Sequence, residues 1–190
     1  MSYFVFDELR FNVAQLLRDP LGASRAASFT VNLYRLAPEL AAGLEETAVA
    51  DLTGSVKLAH TNAGILARGH MSATATTACA RCLELVQVPI DFELEELYVP
   101  TLDIVTGRAL TPEEDDRALW IDEFHILDLT EVLRQDVLIA MPPHVLCRPN
   151  CRGLCSACGQ NLNENACTCQ AEADPRWHAL ADLLKDMNQN

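Results

Sequence analysis

Val86-Gln-Val-Pro-Ile-Asp-Phe-Glu-Leu-Glu-Glu-Leu-Tyr-Val99 alternates apolar and polar side chains through Val88, Ile90, Phe92 and Leu94, with charges at Asp91, Glu93 and Glu95. Successive side chains of a strand point to opposite faces, so a period of two describes a strand with one wet face and one buried face. Pro89 has no N–H to give to a ladder and suggests an edge position or a bulge. Upstream, residues 49–60 carry Leu52, Val56 and Leu58 at apolar positions, and residues 65–77 run back after the turn chemistry of Asn62-Ala-Gly64. Short turns between such runs describe an antiparallel meander. Phe29-Thr-Val-Asn-Leu-Tyr34 has the same alternation and reads as another half-buried strand.

Helical signals flank this region. Asp128-Leu-Thr-Glu131 has the form of a capping box, and Leu129, Val132, Leu133, Val137 and Ala140 then fall on one helical face. Pro142-Pro143 ends that helix, so it is expected over residues 128–141. A second helix is expected from Asp174-Pro175, with Trp177, Leu180, Ala181 and Leu184 on one face. Short apolar segments open the chain at residues 3–6 and 11–17. Residues 37–46 are compatible with helix or with irregular structure, and residues 100–118, with Glu113-Glu-Asp-Asp116, read as an acidic loop. The fold class is therefore α+β: an antiparallel β meander with a few helices, followed by a cysteine-rich segment at the C-terminal end.

That segment is Cys147-Arg-Pro-Asn-Cys151-Arg-Gly-Leu-Cys155-Ser-Ala-Cys158-Gly-Gln-Asn-Leu-Asn163, closing in Cys167-Thr-Cys169. Four thiolates set tetrahedrally satisfy Zn²⁺. Cys155-x-x-Cys158-Gly lets two sulfurs face one ion, and the glycine suits the turn that carries the backbone past it. Cys155, Cys158, Cys167 and Cys169 can close one site. Cys79-Ala-Arg-Cys82, at the turn between two strands, can make a second with Cys147 and Cys151. One ion with spare thiols is the other stoichiometry that the spacing allows. His144 is near enough in sequence to Cys147 to replace one thiolate. The expected organisation is an α+β core over residues 1–146 carrying the Cys79/Cys82 turn, with residues 147–190 as a metal-binding segment and helix packed on it.

Cys151-x-x-x-Cys155-x-x-Cys158 also matches the spacing by which radical S-adenosylmethionine enzymes hold four irons. Those enzymes resemble large parallel barrels with the motif early in the chain, so a cluster enzyme is the weaker reading. The histidines show no ligand spacing among themselves, and no phosphate-binding glycine pattern or paired carboxylate stands out. Nothing in the sequence reads as catalytic.

The chain has 190 residues and a net charge of −13, with acidic N-terminal residues where a signal peptide would be basic and no apolar run long enough for a bilayer. A cytoplasmic protein is expected, with no membrane partner. In that reducing setting clustered cysteines read as metal ligands before disulfides. Residues 101–146 hold ten acidic and three basic side chains, against five and four in residues 147–190. Such a chain repels phosphate backbones at long range, which argues against DNA and against broad nucleic-acid binding, and it favours basic protein partners.

Cys151-Arg-Gly-Leu-Cys155-Ser-Ala-Cys158-Gly-Gln-Asn-Leu-Asn163, then Cys167-x-Cys169 and Asp174-Pro-Arg176-Trp, resembles the C-terminal signature of the YceD family, as Cys79-Ala-Arg-Cys82-Leu resembles its upstream element. The leucine-rich helix ending in Pro142 fits as well, and the likeness covers roughly residues 50–185. Ser156 departs from the family's usual proline. The resemblance implies a bacterial or organellar factor, without catalytic activity, for accumulation of large-subunit (23S) ribosomal RNA. Arg81, Arg148, Arg152 and Arg176 lie beside presumed ligands, where rigid turns would hold them for phosphate contact with ribosomal RNA or a pre-50S particle. The alternative is an adaptor that holds a basic ribosomal protein on the acidic residues 101–146.

Overall fold

The computed structural model describes residues 5–41, 43–44, 48–111, 119–169 and 176. The chain divides into two compact units: Met1–Ala78 with Leu85–Val145, and Cys79–Glu84 with Leu146–Asn190. The short turn holding Cys79 and Cys82 thus groups with the cysteine-rich segment.

The first unit is built on a five-stranded sheet. β3 (Ser24–Asn32), β4 (Asp51–His60), β5 (Ile65–Ala78) and β6 (Leu85–Pro100) follow one another as antiparallel neighbours. β7 (Trp120–Ile121) then pairs in parallel with the end of β6, opposite Val99 and Pro100. β1 (Val5–Asp7), β2 (Arg10–Asn12) and β8 (Ile126–Asp128) form a separate small sheet. Among the described residues, three helices complete the unit: α1 (Ala14–Arg18), α2 (Leu33–Leu36) and α3 (Thr130–Ala140), with a 3-10 turn at Pro38–Ala41.

The β5–β6 hairpin runs in unbroken register from Ile65 opposite Tyr98 to Ala78 opposite Leu85. Val88, Ile90, Leu94 and Tyr98 face the core, while Asp91, Glu93 and Glu95 face water. Pro89 faces Thr74 on β5 and has no strand on its other side among the described residues, the edge position expected of it.

The low bulk of residues 72–78 finds its reason in the inner face. Ala67, Gly69, Ala73 and Ala75 of the central strand lie opposite Leu58, Val56, Leu52 and Val88 of its neighbours. Bulk on flanking strands fills the space above the small residues. A Cβ at Gly54 would stand 2.7 Å from the Phe29 ring, so glycine there lets that ring cross the sheet.

Two local expectations need correction. β3 stops at Asn32 because that side chain turns back to accept the Arg35 N–H at 2.8 Å and caps α2. Residues 33 and 34 are helical as a result. The capping box at Asp128 does not form: Asp128 ends β8, paired with Arg10, and α3 starts at Thr130 without a side-chain cap. The Asp128 carboxylate accepts the Thr130 N–H at 2.8 Å, while Glu131 is taken by Arg134 at 2.7 Å. The apolar face of α3 is as expected, with Leu129, Val132, Leu133 and Val137 buried. The helix expected from Asp174 and the acidic run at residues 113–116 lie outside the described residues.

Candidate metal centres

The turn Cys79–Glu84 and the turn at residues 155–160 share one backbone pattern. Cys79 N–H donates to the Glu84 carbonyl at 2.8 Å, and Leu83 N–H donates to the Cys79 carbonyl at 3.0 Å. Cys155 N–H donates to the Gln160 carbonyl at 2.8 Å, and Gly159 N–H donates to the Cys155 carbonyl at 2.9 Å. The residue after the second cysteine is left-handed in both, with φ of 62° at Leu83 and 73° at Gly159. These bonds turn the chain so that both thiols of each Cys-x-x-Cys pair face one point.

Each pair is completed by another. Cys79, Cys82, Cys147 and Cys151 place their sulfurs within 4.8 Å of one another, and so do Cys155, Cys158, Cys167 and Cys169. Those are the two groups of four that the spacing suggests. The first group is the inner centre, with Cys79, Cys82 and Cys151 buried; in the second, the outer centre, Cys158 and Cys169 are exposed. His144 is exposed and stands in neither group.

The sulfur separations test the fit to a single ion. Zinc–thiolate bonds of about 2.3 Å arranged tetrahedrally put neighbouring sulfurs about 3.8 Å apart. Cys79 and Cys151 are 3.8 Å apart and Cys82 and Cys147 3.5 Å, so the inner sulfurs already stand at about the edge length of such a tetrahedron.

Electrostatics within each group point the same way. The backbone N–H of Cys82 pulls the Cys79 thiol down to about 6. Cys82 is pushed up to about 12: the Glu84 N–H opposes the shift, but burial and the neighbouring thiols prevail. In the outer centre the Cys158 N–H brings Cys155 to about 6, and the hydrogen bond with the Cys158 side chain drives Cys169 up to about 12. Each group thus holds thiols shifted in opposite directions, some lowered by N–H donors and others raised by burial and by their neighbours. A divalent cation at the middle would favour the thiolate form of all four.

The predicted arginines are placed unequally. The Arg81 guanidinium donates to the Cys151 carbonyl at 2.9 Å, and its own carbonyl accepts the Leu154 N–H at 3.2 Å. It therefore ties Cys79–Glu84 to the cysteine-rich segment. Arg148 and Arg152 are exposed; Arg148 donates to the Asn163 carbonyl at 3.4 Å. Arg176 is exposed too, with its sequence neighbours outside the described residues. Three polar residues went unnoticed in the sequence: Glu84, Asn161 and Asn163, which share hydrogen bonds between the two turns. Amide side chains have no ligand spacing, so no pattern announces them.

The family described as "Large ribosomal RNA subunit accumulation protein YceD" matches residues 67–184, across both Cys-x-x-Cys turns and every cysteine of the two centres. This chain belongs to the YceD family. An uncharacterized protein of Mycobacterium tuberculosis is 32% identical over 181 residues, 95% of this chain and 83% of that protein. An uncharacterized protein of Mycobacterium leprae is 28% identical over 169 residues, covering 87% of this chain and 75% of its own length. A chloroplastic protein of Zea mays, named a large ribosomal RNA subunit accumulation protein YCED homolog, is 34% identical over 69 residues, 33% of this chain and 24% of that protein. No solved structure matches. The YceD resemblance of the cysteine signature is thus carried by a match over more than half of the chain.

Proposed function

We propose that this protein is a non-enzymatic, cytoplasmic factor for accumulation of large-subunit ribosomal RNA, and that its second unit, held by zinc, contacts pre-ribosomal RNA or a pre-50S particle. Membership of the YceD family carries the reading, and the name of the plant relative agrees with it. A single ion such as zinc is favoured over a cluster of several irons because the inner sulfurs stand at single-ion separations, whereas such a cluster holds its thiolates farther apart; four thiolates by themselves suit either. Zinc supplies no redox step here: it fixes the turns that carry the arginines.

Arg148 and Arg152 are the candidates for phosphate contact in this reading. Both are exposed, and both are tied to Asn163, Arg148 through its guanidinium and Arg152 through its backbone N–H at 2.8 Å. Each four-thiolate centre with a divalent ion retains a charge of about −2, which nearby arginines offset. RNA contact therefore needs the guanidinium forks turned outward, where bidentate contact with phosphate is available. Arg81 is exposed as well, but its guanidinium is engaged by the Cys151 carbonyl.

Filter binding to ribosomal RNA at a series of salt concentrations tests this. Affinity should fall steeply with salt, and Arg148→Ala/Arg152→Ala should lower the slope by somewhat less than one for each phosphate contact removed. A second reading, an adaptor for a basic ribosomal protein, is favoured by one observation. Asp91, Glu93 and Glu95 form an exposed row on the outer face of β6, only partly answered by Arg68 on Glu95 and His70 on Asp91. Tight binding of a basic ribosomal protein with no RNA affinity would replace the first reading by the second.

A further inference from the structure

Asn163 lies in the loop between Cys158 and Cys167, two ligands of the outer centre, yet its side chain reaches the inner one. Its Nδ2 is 3.3 Å from the Cys151 sulfur and 2.9 Å from Asn161 Oδ1. Its Oδ1 accepts the Arg152 N–H at 2.8 Å. That bond fixes which way the amide faces, because a backbone N–H can meet only the oxygen, and the NH₂ group is thereby turned toward sulfur. Asn161 holds the arrangement from behind. Its Oδ1 also accepts the Asn163 N–H at 3.0 Å, and its Nδ2 donates to Glu84 Oε1 at 2.8 Å, two residues past Cys82.

A thiolate in a four-sulfur centre carries more charge than one divalent ion neutralises, and an N–H aimed at the sulfur takes up part of the excess. We propose that Asn163 is a positioning residue of the inner centre and that through it the two centres are coupled. Metal in the outer centre pins Cys158 and Cys167, the two ends of the loop, and so holds the Asn163 amide on Cys151. By linkage, whatever factor the outer metal adds to inner affinity, the inner metal returns to the outer. This rests on the metal reading of the two cysteine groups.

The alternative role for Asn163 is to brace its loop without acting on sulfur. Asn163→Asp separates the two. It keeps the shape and the oxygen facing Arg152, but sets a second carboxylate oxygen where the NH₂ group met Cys151.

The test is Co²⁺ titration of the full chain against a competing chelator, reading the sulfur-to-cobalt charge-transfer band. Four proteins are compared: wild type, Asn163→Asp, Cys158→Ser/Cys169→Ser lacking the outer centre, and the triple variant. Asn163→Asp should weaken the inner centre 10- to 100-fold, the range found when a partner of a metal ligand is removed. Cys158→Ser/Cys169→Ser should also weaken it, and the triple variant should fall no further than Asn163→Asp alone. Unchanged inner affinity in Asn163→Asp overturns the proposal, as do losses that multiply in the triple variant. Loss of both centres in Asn163→Asp would signal a collapsed loop, and Asn163→Ala then decides: a selective tenfold loss at the inner centre supports the proposal and none overturns it. A wild type that takes up no metal removes the metal reading itself, a result distinct from all of these.

Discussion

Leu83 and Gly159 stand at the same point of two equivalent turns, and only the glycine is at ease there. A left-handed conformation costs a residue with a Cβ about 1–2 kcal/mol. The Cys79 and Leu83 backbone hydrogen bonds hold Leu83 in it, with the side chain 64% exposed and little packing to offset the strain. Leu83→Gly relieves the strain but frees the unfolded chain by about 0.5–1 kcal/mol. Metal retention against a chelator should therefore stay within about tenfold of wild type. Leu83→Val, β-branched at the same φ, should release metal faster by about five- to thirtyfold, the equivalent of a further 1–2 kcal/mol. Gly64 is the corresponding position in the first unit. Its φ is 150°, and a Cβ there would collide with the Tyr98 carbonyl, the backbone of β6. Gly64→Ala should cost about 3 kcal/mol and lower the melting temperature by roughly 10 °C in a thermal scan. The Asn62-Ala-Gly64 and Cys-x-x-Cys-Gly glycines were legible because turns of positive φ select that residue. Leu83 was not, since a strained leucine is written only in the bonds around it.

At the scale of the element, the strands are legible in the sequence and the start of α3 is not. β4, β5 and β6 each bury one face, and that contrast of wet and dry survives in the sequence as alternation. The start of α3 was misplaced because Asp128 satisfies two local patterns at once. As a sheet residue it faces Arg10, 3.3 Å from its Nε, and the strand claims it. Glu131, freed from any capping role, is drawn to Arg134, which also reaches Glu39 at 2.7 Å. Arg134 holds the Glu131 carboxyl down to about 2 from its ordinary 4.5, chiefly through their hydrogen bonds. A depressed acid contributes stability that is present above its unfolded value and lost as pH falls toward its folded one. This contribution should therefore fade between about pH 4.5 and pH 2. In a carboxyl NMR titration Glu131 should have its midpoint near 2 in wild type and move up toward 4.5 in Arg134→Ala. An unmoved midpoint would mean that Arg134 does not set it. The cysteine elements were the most legible of all, down to their grouping in fours, because metal ligation fixes residue type and spacing together. The asparagines that connect them answer to no such constraint.

For the whole chain the decisive contrast, among the described residues, is between a unit with an apolar core and one that shows none. Among the described residues, the buried members of the hydrophobic cluster that holds the first unit run from Leu9 to Val137 and include none from 79–84 or 146–169. In the second unit the fully buried described residues are Cys79, Cys82, Cys151 and Gly153. Described residues that bury little but sulfur have little hydrophobic term to set against the entropy of ordering their chain, so on the metal reading proposed above their order comes from the ions. Chelation followed by hydrogen exchange should accordingly divide the chain. Amides of residues 79–84 and 146–169 should lose protection while β4, β5 and β6 keep theirs. The exposed outer centre should empty before the buried inner one, so protection around Cys155 and Cys158 should go first. Acidification should act in the same order, because protons compete with metal for thiolates. Protection that persists in the second unit after both metals are gone would mean that its turns and amide bonds suffice to fold it. In that case zinc would be cargo or regulator there, and no longer the scaffold that holds Arg148 and Arg152 in place.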